Sequence, residues 1–367
     1  MASPLESLAL SEIYNVRYDP SVSQQRHTVN GIVITVFGLD QLPLSTVDIA
    51  AAWLLHPRLG AQDDMAGIAN ALVRKWNNTH SHANGPRKGL IAITLDHRNH
   101  GTRLLDPAKN DNWRQGNSRH AEDMFETYHG TAQDVSMLIS RLPAVLFGAS
   151  TRHITENAVL GVSLGGHAAW TSIVNEPRIE TAIIIVGCPD YVNLMADRAR
   201  LSKIPSWKKS DPPGSSFLGS ESFPSSLMEM VRRFDPASLF LGTGDGAGNV
   251  PLRMVPAKGL TDEETESLRP LFTKCLARKK IFNMSGGRDK GVPYRCGEVF
   301  VNWLKQVVAP GGVFGDMSIE FEDVVYENAG HEVTPDMADK AIQFMIKALA
   351  GAKDSGIVFS RGTKSRI

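Results

Sequence analysis

The stretch NAVLGVSLGGHAAW, residues 157–170, constrains the fold more than any other part of the chain. It starts as a continuous apolar run, which is typical of a buried strand, and goes on with apolar residues at helical spacing. Gly161 and Gly165 flank Ser163 where the two patterns meet. A strand that turns this sharply into a helix strains the backbone of the serine and leaves no room for side chains beside it. The stretch therefore predicts a strand, a tight turn that presents the Ser163 hydroxyl, and a helix.

The rest of the chain alternates between strand-like and helix-like segments. Strands are predicted within residues 31–38, 48–57, 89–101, 181–188, 279–291 and 318–332, and helices within 62–78, 120–146 and 334–350. Runs such as AIIIV are apolar without interruption, which is typical of strands that are covered on both faces. This alternation predicts an α/β fold with a mostly parallel central sheet flanked by helices.

One segment interrupts the alternation. Residues 190–278 are rich in proline, serine and glycine and contain short helical pieces such as SSLMEMVRRF. We interpret this segment as an insertion, a lid or cap, between two strands of the core. The predicted organisation is a core of residues 1–189 and 279–367 with a cap of residues 190–278.

The balance of charges limits the classes of partner. The chain has 39 Lys and Arg and 39 Asp and Glu residues, so nucleic acid and anionic membranes are poor partners. No apolar run is long enough to cross a bilayer, and the first residues do not resemble a signal peptide. Cys188, Cys275 and Cys296 are too far apart for a disulfide framework or a zinc-binding spacing. We expect a cytoplasmic protein that binds a small molecule, with its oligomeric state left open.

Ser163 needs a general base, because a serine hydroxyl is a weak nucleophile at neutral pH. Where a serine occupies such a turn, the order along the chain is serine, acid, histidine. Only His167 and His331 follow Ser163. His167 lies four residues on and precedes any candidate acid, so His331 is the predicted base.

Two aspartates could orient that histidine. Asp289 follows the strand predicted at 279–291, in a Gly-Gly-Arg-Asp turn, and Asp190 follows the preceding strand. We favour Asp289, since Asp190 lies in a Cys-Pro-Asp sequence that resembles the entry to the inserted segment. The acid would hold His331 in the correct tautomer and stabilise its charged form.

A developing oxyanion needs two backbone N–H donors. The first is predicted at Leu164, directly after the serine. The second is expected in the sequence HPRLG after the strand at 48–57. Because Pro57 has no N–H, Arg58 is the predicted donor.

Together these residues resemble the α/β-hydrolase superfamily. The landmarks HPRLG, DHRNHG, GVSLGG, GGRD and AGHE follow one another in the expected order, although Pro57 stands where the usual first motif has glycine. AGHEVTPDM is similar to the histidine loop of the prolyl-oligopeptidase and dienelactone-hydrolase branch. The resemblance implies an α/β-hydrolase fold, a mainly structural DHRNHG loop, and esterase, lactonase, thioesterase or peptidase activity without metal or organic cofactor. Similar fungal enzymes often serve secondary metabolism.

Three further features bear on the site and the location. Trp113 and His167 are candidates for the pocket lining, and short histidine pairs such as HSH at 80–82 lack a third metal ligand. The final Ser-Arg-Ile resembles the peroxisomal address Ser-Lys-Leu. We therefore expect no metal, and peroxisomal import as the alternative to a cytoplasmic location.

The sequence predicts a serine hydrolase that acts on a carboxylic ester, lactone or thioester of a small to medium apolar substrate. Two alternatives stay open. An acyltransferase or cyclase would use the same acyl-enzyme, and a non-catalytic binding protein would use only the fold.

Overall fold

The computed structural model describes residues 19–80, 88–242 and 259–350. Within these residues, eight strands form a single sheet: β1 (Gln24–Val29), β2 (Ile32–Phe37), β3 (Asp48–Leu55), β4 (Gly89–Leu95), β5 (His153–Val162), β6 (Ile179–Ile185), β7 (Lys280–Gly286) and β8 (Glu320–Tyr326). The α-helices of the same residues are α1 (Ala66–His80), α2 (His120–Phe147), α3 (Leu164–Asn175), α4 (Tyr191–Ser202), α5 (Pro205–Lys208), α6 (Ser225–Phe234), α7 (Pro236–Leu241), α8 (Asp262–Cys275), α9 (Glu298–Val308) and α10 (Pro335–Ala350). The Ser-Arg-Ile tripeptide and most of the HSH sequence lie outside the described residues.

The strands are arranged in the order β1-β2-β4-β3-β5-β6-β7-β8. β2 pairs antiparallel with both β1 and β4, and every other pair is parallel. The predicted mostly parallel α/β sheet is therefore confirmed. β1 was not among the predicted strands, because its sequence QQRHTV has no apolar run. The signal for it was the Asn30-Gly31 pair, whose positive φ angles of 49° and 78° join β1 to β2 in a tight hairpin.

Both faces of the sheet are buried under helices. Along β3, Ile49, Ala51 and Trp53 face the apolar cluster that includes residues of α2, α3 and α9. Ala50 and Leu54 face the opposite cluster, which includes residues of α1 and α10. This alternation is the strand period of two, and it explains why the strands of this sheet are apolar on both sides.

The segment between β6 and β7 contains the helices α4 to α8. Its side chains Tyr191, Phe217 and Phe240 belong to the same buried cluster as residues of α2 and α3. The segment therefore packs directly onto one face of the core. Its role as a lid stays a prediction.

The parallel strands β3 to β8 all end at one edge of the sheet. Because the loops that follow these carboxyl ends are neighbours in space, residues far apart in sequence meet there. The loops after β3, β5, β7 and β8 carry the residues that the sequence analysis selected. The functional site is built at this edge.

Candidate active site

Ser163 occupies a strained turn between β5 and α3. Its backbone angles are φ 54° and ψ −110°, which a residue with a side chain rarely adopts. A Cβ atom on Gly161 would overlap the carbonyl oxygen of Gly165, and one on Gly165 would overlap the carbonyl oxygen of Leu55. The two glycines thus allow α3 to approach the ends of β3 and β5. The turn places Ser163 at this edge of the sheet, between β5 and α3.

His331 lies in the loop after β8 and reaches the serine. Its Nε2 is 2.9 Å from the Ser163 Oγ, although 168 positions separate the two residues. The imidazole is partly exposed, with 16% of its side-chain surface accessible, whereas the residue Ser163 is 7% exposed. The imidazole therefore contacts both the hydroxyl and solvent.

Asp289 lies in the loop after β7 and contacts the other nitrogen of that ring. Its Oδ2 is 2.7 Å from His331 Nδ1. Its Oδ1 accepts the N–H groups of Gly291 and Val292 over 2.7 and 2.8 Å. These two bonds fix the carboxylate, which is shielded from solvent. In this arrangement Nδ1–H donates to the carboxylate and Nε2 accepts from the serine hydroxyl.

Asp190, the alternative acid, caps a helix. It is the N-cap of α4, where its Oδ1 accepts the Asn193 N–H over 3.0 Å and its Oδ2 accepts the Asn193 side-chain amide over 2.9 Å. The aspartate hydrogen-bonded to His331 is Asp289. Ser163, Asp289 and His331 thus follow one another along the chain in the order serine, acid, histidine.

The two predicted oxyanion donors lie on different elements, Leu164 at the start of α3 and Arg58 in the loop after β3. Leu164 is the first residue of α3, where the backbone N–H groups have no acceptor within the helix. Arg58 follows β3 and its guanidinium donates to the carbonyl oxygen of Asn110 over 2.7 Å. Their role as oxyanion donors stays a prediction.

Trp113 and His167, the two candidates for the pocket lining, differ in their surroundings. Trp113 is partly buried, with its ring 5.1 Å from that of His120, and it lines a small cavity beside Arg58. His167 is 2% exposed, and its Nδ1 accepts the N–H of Cys188 over 3.0 Å. Burial lowers the pKa of His167 to about 3, so this ring is neutral beneath the site.

Two observations decide the fold. In the sheet order 1-2-4-3-5-6-7-8, β2 is antiparallel to β1 and β4 and every other neighbouring pair is parallel. The strained serine stands between β5 and the helix that follows. The chain is an α/β-hydrolase-fold protein. The fold predicted from the resemblance is thereby confirmed.

The similarity of this chain to known proteins is low. No family model matches the chain. Over 163 residues, which cover 41% of this chain, it is 28% identical to the sn-1-specific diacylglycerol lipase ABHD11 of Xenopus tropicalis. The match spans 39% of the length of that curated relative.

Three solved structures of low identity resemble the chain over most of its length. The protein TT1662 from Thermus thermophilus aligns with 90% of this chain and 99% of its own, with a TM-score of 0.49 and 16% identity. The acylaminoacyl peptidase of Pyrococcus horikoshii aligns with 94% of this chain and 43% of its own, with a TM-score of 0.48 and 10% identity. A cold-adapted esterase from an Arctic intertidal metagenomic library aligns with 90% of this chain and 96% of its own, with a TM-score of 0.45 and 11% identity. The fold assignment depends on the strand order and the serine turn of this chain, not on these likenesses.

The DHRNHG loop braces the neighbouring turns. Asp96 accepts the N–H groups of Gln62 and Thr102 over 2.7 and 2.8 Å. Arg98 and Arg103 both pair with Asp134, which lies on α2. Every one of these contacts holds a loop in place, which agrees with the structural role that the resemblance implies.

Within residues 19–80, 88–242 and 259–350, no group of three or more His, Cys, Asp and Glu side chains has the arrangement of a metal site. In the same part of the chain, none of the helices has the length and apolarity needed to cross a membrane.

A cavity of about 730 Å³ opens beside His331. Its walls include the side chains of Arg114, Arg288, Lys290 and Arg295. The sequence analysis missed this concentration of basic residues. They come from the loop before α2 and the loop that carries Asp289, and the balanced total charge conceals them. The one sequence signal was the basic character of the stretch RDKGVPYR around Asp289.

Proposed function

We propose that this chain is a serine hydrolase that cleaves carboxylic esters, lactones or thioesters through an acyl-enzyme. The observation that carries the proposal is the continuous hydrogen-bonded path from the Ser163 hydroxyl through His331 to Asp289, with 2.9 and 2.7 Å between the paired atoms. A hydroxyl bonded to an imidazole that a buried carboxylate orients is the arrangement that activates a serine nucleophile.

The proposed reaction begins with attack of the Ser163 Oγ on the substrate carbonyl carbon. His331 Nε2 accepts the hydroxyl proton, and Asp289 stabilises the imidazolium that forms. The N–H groups of Leu164 and Arg58 would bind the oxyanion. Collapse of the tetrahedral intermediate releases the alcohol or thiol, which takes the proton from His331. A water molecule then attacks the acyl-enzyme by the same steps and restores the serine.

The cavity beside His331 supports a substrate of small to medium size, because about 730 Å³ is typical of sites for small molecules. The relative named as a diacylglycerol lipase supports an ester as the bond that is cleaved. We further propose that residues 190–278 act as a lid, since Leu201 from that segment lines this cavity.

The proposal is tested by labelling with a fluorophosphonate and measuring the intact mass. We expect one adduct on the wild type, none on Ser163→Ala and much slower labelling of His331→Ala. Ser172→Ala is the matched control, because Ser172 lies on the same helix α3 and is 1% exposed. Its labelling should equal that of the wild type.

Absence of an adduct on the wild type, or an equal rate for Ser163→Ala, would contradict the proposal. Product analysis with competing alcohols and amines then separates hydrolysis from acyl transfer. A hydrolase releases the free acid even when these nucleophiles are present, whereas an acyltransferase transfers the acyl group to them.

A further inference from the structure

Basic side chains surround the proposed site far more densely than the chain as a whole. The cavity beside His331 adjoins a second cavity of about 100 Å³, and both contain Arg114, Lys290 and Gly291 in their walls. The basic residues that line one or both cavities are Arg58, Arg114, Arg198, Arg288, Lys290 and Arg295. Among the described residues, no aspartate or glutamate lines either cavity. A chain with no net charge thus concentrates positive charge at one place.

Ion pairs with carboxylates involve few of these basic side chains. Arg295 pairs with Asp197 over 2.7 Å, but the other basic side chains form no ion pair with a carboxylate in the part of the chain that the structure describes. Arg114 donates to the carbonyl oxygen of Leu201 over 2.6 Å. Arg58 also bonds a neutral carbonyl group. Neutral acceptors fix the position of a guanidinium and leave its positive charge available to a ligand.

Arg198 lies deepest among these groups. From α4 it donates to the Gly291 carbonyl oxygen over 3.1 Å and lies 3.3 Å from His120 Nε2, and both partners are neutral. Burial lowers the pKa of Arg198, and burial together with the charge of Arg198 lowers the pKa of Arg58 to about 10. The charge of Arg198 disfavours the charged form of Arg58, an effect that the Asp111 carboxylate opposes. An anion close to both guanidinium groups would stabilise them further.

These basic groups are connected to the proposed catalytic residues. The carbonyl group of Gly291 accepts from Arg198, while its N–H donates to the Asp289 carboxylate over 2.7 Å. Lys290 lies between Asp289 and Gly291 in the sequence. The smaller cavity shares Arg114, Lys290 and Gly291 with the cavity that His331 lines. An anion held in the smaller cavity would therefore lie next to the space beside His331.

We propose that the substrate carries an anionic group, a carboxylate or a phosphate, that binds to Arg58, Arg198 and Lys290 in the smaller cavity. This inference depends on the proposed hydrolase function and names its substrate class. Guanidinium groups bind both anions through paired hydrogen bonds. Trp113 supplies an apolar wall to the same cavity. The apolar substrate expected from the sequence is thereby narrowed to an acyl compound with one anionic end.

The test compares two esters that differ only in charge. Mono-4-nitrophenyl glutarate carries a free carboxylate, and its methyl ester has the same acyl chain without the charge. We expect kcat/KM of the wild type to be at least about ten-fold higher for the anion, because hydrogen bonds to charged groups are each worth about this factor. The phosphonate 4-nitrophenyl 4-phosphonobutanoate, measured in parallel, shows which of the two anions the site prefers.

Variants locate the effect. Lys290→Gln and Arg58→Gln should each reduce the ratio of anionic to neutral kcat/KM by at least about five-fold, since each removes one charged hydrogen-bond donor. Arg152→Gln is the matched control, because Arg152 also donates to a backbone carbonyl group, that of Pro43, and lines neither cavity. Its ratio should equal that of the wild type. A wild-type ratio near one, or a ratio that Lys290→Gln and Arg58→Gln leave unchanged, overturns the proposal.

Calorimetry separates this inference from the proposed function. Ser163→Ala is titrated with sodium glutarate and with inorganic phosphate, and the same titrations are repeated after Lys290→Gln is added. Binding that weakens with the second substitution supports the anion site even if no ester is hydrolysed and no fluorophosphonate adduct forms. If neither anion binds to Ser163→Ala, the anion site is refuted, while labelling of Ser163 would still support the hydrolase.

Discussion

Replacing Asp289 with asparagine separates the charge of the carboxylate from its structural role. The two N–H groups of Gly291 and Val292 bond to Oδ1, and an asparagine carbonyl oxygen can accept both of them. The group facing His331 Nδ1, 2.7 Å away, would become an amide NH₂. Because an amide N–H donates, it favours the His331 tautomer that has its proton on Nε2. That tautomer cannot accept the proton of Ser163.

The magnitude follows from this geometry. Loss of the correct tautomer in a serine, histidine and aspartate arrangement lowers kcat by about 10⁴-fold, or ~5.4 kcal/mol at ~1.36 kcal/mol for each factor of ten. The free energy of unfolding should change by no more than about 1 kcal/mol, because the loop keeps its two backbone hydrogen bonds. We expect Asp289→Asn to fold normally and to lose nearly all activity.

The assay measures kcat on a 4-nitrophenyl ester and the rate of fluorophosphonate labelling, with urea unfolding as the check on stability. Asp190→Asn is the matched control. Its asparagine remains a good N-cap for α4, so activity should stay within about ten-fold of the wild type. If Asp289→Asn kept its activity while Asp190→Asn lost it, the assignment of Asp289 as the acid would be refuted.

Two further predictions concern stability. Gly165→Ala should lower the free energy of unfolding by ~1–3 kcal/mol, because its Cβ would overlap the Leu55 carbonyl oxygen. Gly330→Ala, whose Cβ meets no atom closer than 3.9 Å, should cost less than ~0.5 kcal/mol in the same urea titration. Burial lowers the pKa of His129 to about 4, below the unfolded value of 6.5, so the stability due to its neutral ring is complete above pH 6.5 and declines toward pH 4. Among the described residues, neither ring nitrogen of His129 has a hydrogen-bond partner, so leucine can replace the neutral ring. Between pH 6.5 and 5, the free energy of unfolding of His129→Leu should fall by ~1.6 kcal/mol less than that of the wild type, and equal losses would contradict this.

Much of the fold could be predicted because it is encoded locally. The long apolar strands and the helical spacing of α2 and α10 are visible within single windows of sequence, since each element has its own period. β1 could not be predicted this way. Its half-exposed residues form no apolar pattern, and it exists because β2 offers an antiparallel partner across a two-residue turn.

The sequence by itself determined which serine and which histidine to consider. Ser163 stands in a turn that only small neighbours permit, and His331 is the only histidine beyond it that follows both candidate acids. Tertiary structure decided that Asp289 contacts His331 while Asp190 caps α4, because the paths of two loops determine which carboxylate reaches the imidazole. It also decided the charge of the site. Arginines from four separate segments converge there, and no count along a neutral sequence can show which distant charges share a cavity.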